Sequence, residues 1–181
     1  MVYYTIVRRV GNDRAAKDAA RRRGLEALLP LFGVPADTRM AKDELGRPCL
    51  PEYPELMISL SHADPFTAVA VGSTSVGVDL EREDRIRDPE ALARRFFTAR
   101  ELEEVTSSPD PRRAALAVWT RKEALGKYIG TGLAENLSVC TAVPPEGTAF
   151  YTEWLEETGV RYALTFCAKD PPTFVAIEED R

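Results

Sequence analysis

Apolar and polar residues alternate through the opening stretch VYYTIVRR, which predicts a strand over residues 2–9. The period then lengthens. Leu25, Leu28, Leu29 and Phe32 fall at i, i+3, i+4 and i+7, so a helix is expected from about Asp13 to Phe32, stopped by Gly33. KDELGRPCL reads as a turn entering a short strand. LMISLSHAD and FTAVAVG form an expected antiparallel pair, and SVGVDLE is the next strand. Thr98-Ala99-Arg100-Glu101 is a capping box opening a helix to about Thr106. Asp110 before Pro111 is an N-cap with proline at the first helical position, opening a longer helix to about Ile129. Four strands are expected after it, near 138–143, 148–155, 160–168 and 173–178. This order predicts an α+β chain with antiparallel sheet, and its layout suggests two similar halves meeting near residues 73–77.

One strand is chemically uneconomical. In STSVGVDLERED, Val76, Val78 and Leu80 share a buried face, so Asp79 and Glu81 project together on the other. Adjacent carboxylates repel unless a cation or hydrogen bonds offset the charge. An exposed face relieved by Arg82 is the plain explanation; a cation site is the sharper one. The long helix bears on the choice. Trp119, Glu123 and Lys127 lie at i, i+4 and i+8, on one stripe. Glu123 and Lys127 alone would be an ordinary helix-stabilising pair worth about 0.2–0.5 kcal/mol, but Trp119 marks a buried or cleft-lining surface. Carboxylates from Asp79, Glu81 and Glu123, with room for water and phosphate oxygens, make the donor set that Mg²⁺ accepts. Lys127, one turn beyond Glu123, could reach a phosphate held there.

Composition narrows the class. A chain of 181 residues with 44% hydrophobic residues suits one domain, or two small halves packed as one. No apolar run approaches a membrane span, and the N-terminal alternation is unlike a signal peptide, so no membrane association and a cytoplasmic location are expected. Cys49, Cys140 and Cys167 are scattered, odd in number and outside metal-ligand spacing, which reads as ordinary thiols in a reducing compartment. The net charge of −5 argues against nucleic-acid partners. Yet Arg8, Arg9, Arg14, Lys17, Arg21, Arg22 and Arg23 face only Asp13 and Asp18 within residues 1–23. A solvated helix face accounts for that excess simply; a phosphate-binding patch is the alternative. Ser61 and the single histidine, His62, lack a G-x-S-x-G elbow, so a Ser–His hydrolase has little support. Neither a phosphate loop nor a dinucleotide fingerprint is present, and Gly130 reads first as a helix C-cap.

GVDLE, RFFTARELEEV and WTRKEALGKYIGTGL, in that order, resemble the 4′-phosphopantetheinyl transferases, with DELGRP and SLSHAD matching two further blocks of the larger, surfactin-synthetase-type members. The likeness runs from about Asp43 to Leu133. It implies transfer of the phosphopantetheine arm of coenzyme A to a serine of an apo acyl or peptidyl carrier protein, releasing adenosine 3′,5′-bisphosphate. It implies two similar α+β halves with the site in the cleft between them: 1–75 for the nucleotide end of coenzyme A, 76–181 for the metal and catalytic motifs, together one compact, monomeric pseudo-dimer. Asp79, Glu81 and Glu123 would hold Mg²⁺ against the pyrophosphate, and Lys127 would contact the phosphates. Ser61 and His62 would help bind the nucleotide end; Arg47, followed by Pro48, stands where the family usually has lysine and would meet the 3′-phosphate or adenine side. Arg21 and Arg22 are candidates for the remaining 3′-phosphate contacts on charge alone, and Glu123 is the expected base toward the carrier serine. Phe96, Phe97 and the helix after Thr98 are candidates for the carrier surface, or for core. A coenzyme A-binding homologue without catalysis and a Mg²⁺-dependent phosphohydrolase are the alternatives.

Overall fold

The computed structural model describes residues 1–130 and 142–177. Two antiparallel hairpins, each joined by a third strand, form its two main sheets. In the first, β1 (Val2–Arg8), β4 (Met57–Ala63) and β5 (Phe66–Gly72) run in the order β4-β5-β1, with β9 (Thr173–Phe174) adding in parallel outside β1. In the second, β6 (Val76–Arg82), β7 (Ala149–Glu157) and β8 (Val160–Ala168) run β6-β8-β7. A two-residue pair, β2 (Ala41–Lys42) and β3 (Pro48–Cys49), brackets the Gly46 turn. The helices are α1 (Arg14–Leu28), α2 (Pro89–Phe96), α3 (Ala99–Thr106) and α4 (Pro111–Ile129).

The expected α+β class holds, and β8 spans the expected residues 160–168. Asp13 caps α1, Thr98 and Glu101 form the capping box of α3, and Asp110 caps α4. Four details differ from expectation. The first helix tightens to a 3₁₀ turn over Leu29–Phe32, where Pro30 has no amide to donate. Helix α2, capped by Asp88 with Pro89 at its first position, is an element the periodicity did not predict. The last strand is shorter than expected and belongs to the first sheet. The strand expected near 138–143 lies mostly outside the described residues; Ala142 and Val143 are not in a strand.

Burial explains the layering. Val2, Tyr4, Ala68 and Ala70 of the first sheet pack against Val78, Leu80, Leu164 and Phe166 of the second, so the two sheets share one core face to face. The outer face of the first sheet is covered by α1 through Leu25 and Leu28 on Val69 and Val71. Helix α4 covers the outer face of the second sheet. Hydroxyls set the height of α4: Thr120 Oγ1 and Thr165 Oγ1 lie 2.8 Å apart. Gly77 sets its depth. A Cβ there would lie 1.9 Å from the Ala124 carbonyl oxygen, so only glycine allows β6 and α4 to meet so closely. No helix among the described residues is long and apolar enough to cross a membrane.

Candidate active site

Helix α4 answers the question posed by Asp79. The face of β6 bearing Gly77, Asp79 and Glu81 is turned toward α4 and not toward open water, and Asp79 is only 4% exposed. Its carboxylate is held on one side only. Oδ1 accepts from Ser61 Oγ at 2.9 Å and from Lys127 Nζ at 2.8 Å. Oδ2 is buried and has no hydrogen-bond partner among the described residues. A buried carboxylate oxygen left unmet is costly and calls for an explanation.

Two further carboxylates feel this charge. Burial and then the Asp79 carboxylate push Glu81 above the ordinary range. Glu123 is pushed up to about 7, first by burial, then by Asp79 and to a lesser degree Glu81, with Lys127 opposing. Lys127 opposes this charge, helped at Glu81 by Arg85. Its ammonium is also fully engaged, reaching Ser61 Oγ at 3.1 Å and the Val78 carbonyl at 2.8 Å besides Asp79. Among the described residues no three Asp, Glu, His or Cys side chains already stand arranged to hold one ion. The chemistry nevertheless fits a hard divalent cation: the donors are all oxygen, negative charge is in excess, and one buried oxygen is orphaned.

A cleft of about 580 Å³ begins at Lys127 and Gly126 and runs between Leu60 of β4 and the turn carrying Arg47 and Pro48. Arg47 lies over the C-terminus of α4, where a Cβ on Gly130 would fall 2.0 Å from its Nη1. The φ of +84° at Gly130 also requires glycine. Arg47 is paired with Asp43 at 2.7 Å, and the Arg47 amide is the foremost cause holding Asp43 below the usual carboxylate range.

Strand alternation separates Ser61 from its neighbour. Ser61 faces β6, whereas His62 lies near the basic residues of α1. Burial first, then Arg21, Arg9, Lys17 and Lys127, depress His62 to about 4, so the imidazole is neutral near neutral pH and bonds Thr67 Oγ1 at 3.0 Å. The structure therefore brings Arg21 and Lys17, one helical turn apart, to the charged surroundings of His62. Arg22 is exposed on α1 and lines a separate cleft with Arg21 and Arg39. Arg9 is buried and ties Asp64 and Asn12. Lys17 lay within the basic segment, but nothing in the linear charge run singled it out over Arg22.

The tryptophan and phenylalanines sort by burial. Phe97 is core, while Phe96 packs edge-on against Trp119 at 5.7 Å. Both rings line a groove of about 420 Å³ that opens beside Glu81 and carries Arg82, Arg85 and Arg95. A residue that sequence reading left without a role is Lys122, whose Nζ meets Glu101 at 2.7 Å, both side chains at most 5% exposed. Glu101 also accepts the amides of Thr98 and Ala142, so it joins α3, α4 and the segment at Ala142.

A sequence profile of the 4′-phosphopantetheinyl transferase superfamily matches residues 75–176, and the chain belongs to that family. Relatives include the 4′-phosphopantetheinyl transferase psf-1 of Bacillus pumilus, 35% identical over 54% of this chain and 42% of its own length. The 4′-phosphopantetheinyl transferase HetI of Nostoc sp. is 34% identical over 61% of this chain and 49% of its own. The 4′-phosphopantetheinyl transferase Sfp of Bacillus subtilis is 28% identical over 80% of this chain and 71% of its own. The matches thus span about half the length of the first two relatives.

Proposed function

We propose that this protein transfers the 4′-phosphopantetheine arm of coenzyme A to a serine of an apo acyl or peptidyl carrier protein, releasing adenosine 3′,5′-bisphosphate. The observation that carries the proposal is Asp79, buried against α4 with one oxygen unpartnered, beside two further carboxylates raised by burial and then by its charge. Family membership supplies the reaction type. Asp79, Glu81 and Glu123 would hold Mg²⁺, which when bound supplies charge neutralisation on the pyrophosphate.

The chain's own residues do the rest. The cleft beside Arg47 and Pro48 and the basic surroundings of His62 receive the nucleotide end, where Arg21 and Lys17 supply positive charge and neutral His62 a hydrogen-bonding group. Lys127 stands between that cleft and Asp79, at the position where the pyrophosphate would meet the carboxylates. The carrier serine oxygen attacks the phosphorus that bears pantetheine. Its bond to the bridging oxygen breaks, and that oxygen leaves with adenosine 3′,5′-bisphosphate. Glu123, poised near neutrality in the ligand-free protein, accepts the serine proton.

Topology supports a duplicated unit as the frame of this site. Among the described residues, β1, α1, β4 and β5 run strand, helix, then a hairpin whose second strand lies inside the sheet, and β6, the helices α2 to α4, β7 and β8 repeat that order. The cleft beside Arg47 falls where β4 of the first unit meets β6 and α4 of the second. We read this pseudo-dimer as a single, monomeric, cytoplasmic enzyme.

Chromatographic release of adenosine 3′,5′-bisphosphate from coenzyme A tests the proposal. Release should require both apo carrier and Mg²⁺, and Asp79→Ala should lower it by about two orders of magnitude. Carrier-independent release would instead indicate a hydrolase.

A further inference from the structure

The turn that carries Arg47 to the cleft is built on Asp43. Residues 43 and 47 close it through their main chains, the Asp43 amide donating to the Arg47 carbonyl at 2.9 Å. The Asp43 carboxylate then divides the work between its two oxygens. Oδ1 accepts from the amides of Leu45 and Arg47, both at 2.9 Å, as an aspartate opening a turn does. Oδ2 makes a bond that a turn does not require: it accepts from Arg47 Nε at 2.7 Å.

That bond has a geometric consequence. A guanidinium is planar, so a carboxylate fixed on Nε by a closed turn sets the direction of the whole fork. Nη1 lies against Gly130, which lines the cleft with Arg47, and neither terminal nitrogen is hydrogen-bonded among the described residues. The pair is partly exposed, and exposed ion pairs add little to stability. Its effect on binding is larger. An untethered arginine would lose rotamer freedom on meeting an anion, and the bond to Asp43 removes that loss beforehand. The location calls for such a cation, because the carbonyl end of α4 at Gly130 disfavours an anion.

We infer that Asp43 is a positioning residue for the nucleotide end of coenzyme A: through Nε it holds the Arg47 fork at the cleft before the substrate arrives. This rests on the reading of that cleft proposed above.

The test is calorimetry of adenosine 3′,5′-bisphosphate, without metal, on the full chain and three variants. Asp43→Asn keeps an oxygen for the two turn amides but offers Arg47 Nε an NH₂ group that cannot accept. It also removes a negative charge near an anionic ligand, which by Coulomb's law alone should tighten binding. The inference expects the opposite sign. The Kd should rise about fivefold, the loss of one preordered long side chain, with the melting temperature within about 2 °C of the parent. Arg47→Ala should raise the Kd about tenfold, and adding Asp43→Asn to it should not weaken binding further.

Unchanged or tighter binding in Asp43→Asn, with Arg47→Ala weakened, would overturn the inference while leaving Arg47 as a contact. Equal weakening by Asp43→Asn with and without Arg47 would assign its effect to the turn alone and overturn it too. Unaltered binding in Arg47→Ala would overturn the reading of the cleft itself, a failure distinct from the other two.

Discussion

At the scale of single residues, two groups titrate far from their ordinary values, and in opposite senses. Glu123 protonates near 7 when folded against an ordinary 4.5, so folding gains stability as the pH falls from about 7 toward 4.5. Glu123→Gln should therefore melt higher than the parent above pH about 7, with the advantage shrinking toward 4.5; a constant difference in melting temperature would remove the carboxyl from its crowded site. Mg²⁺ should raise the melting temperature of the parent and have much less effect on Glu123→Gln. His62 has the reverse sign. Its value of about 4 lies below the ordinary 6.5, so stability is present above 6.5 and is lost as the pH falls toward 4. The charges responsible separate two arginines that the sequence could not. Calorimetry of adenosine 3′,5′-bisphosphate should show Arg21→Ala weakening binding by about tenfold, the loss of one charged hydrogen bond, and Arg22→Ala by much less. Equal effects would return both to a diffuse basic face. A charge run states how many cations a helix bears; which of them face His62 depends on the rotation at which Leu25 and Leu28 dock α1 on its sheet.

At the scale of elements, the geometry of the site depends on how closely β6 and α4 approach. Gly77→Ala would set a methyl against the Ala124 carbonyl, and such overpacking costs about 1–3 kcal/mol or more. A fall in melting temperature of at least about 2 °C is expected, along with weaker Mn²⁺ binding, since both edges of the carboxylate site move. An unchanged melting temperature would mean that the strand and helix can part without cost. The Lys122–Glu101 pair joins α3 to α4 next to Glu123. Lys122→Met strands the Glu101 charge and should cost about 3–5 kcal/mol, and adding Glu101→Gln should restore part of it; equal stability in both variants would make the pair incidental.

Legibility of the elements followed local chemistry. The helix caps at Thr98 and Asp110, the start of the first helix near Asp13 and the motif residues on β6 and α4 could be read from spacing. Helix α2 escaped although Asp88-Pro89 repeats the cap signal of Asp110-Pro111: Phe96 and Leu92 give it scarcely two turns of apolar pattern, and it lacks the capping box that marks the equally short α3. The partner of Ser61 escaped for another reason: it lies across a sheet edge, and the convergence of β4 on β6 is set by tertiary packing alone.

At the scale of the whole molecule, the first and second halves of the chain share the core between their sheets, besides the layer that each buries under its own helices. Tyr4 stacks on Phe166, 4.6 Å between centroids, and its hydroxyl donates to Glu153 at 2.7 Å across the sheets, while β9 returns the end of the chain to β1. Segments 1–75 and 76–181 expressed apart should therefore fail to fold alone, and the whole chain should unfold in one transition. Two separable calorimetric transitions would contradict a shared core. Charge is divided across the same seam, with the basic helix α1 on one side and the acidic trio on the other. The most direct test is intact-protein mass spectrometry of apo acyl and peptidyl carrier proteins incubated with this protein, coenzyme A and Mg²⁺. Addition of one phosphopantetheine arm, abolished by EDTA and by Asp79→Ala, is the predicted result. Carriers that stay unmodified while coenzyme A binds tightly would contradict the account.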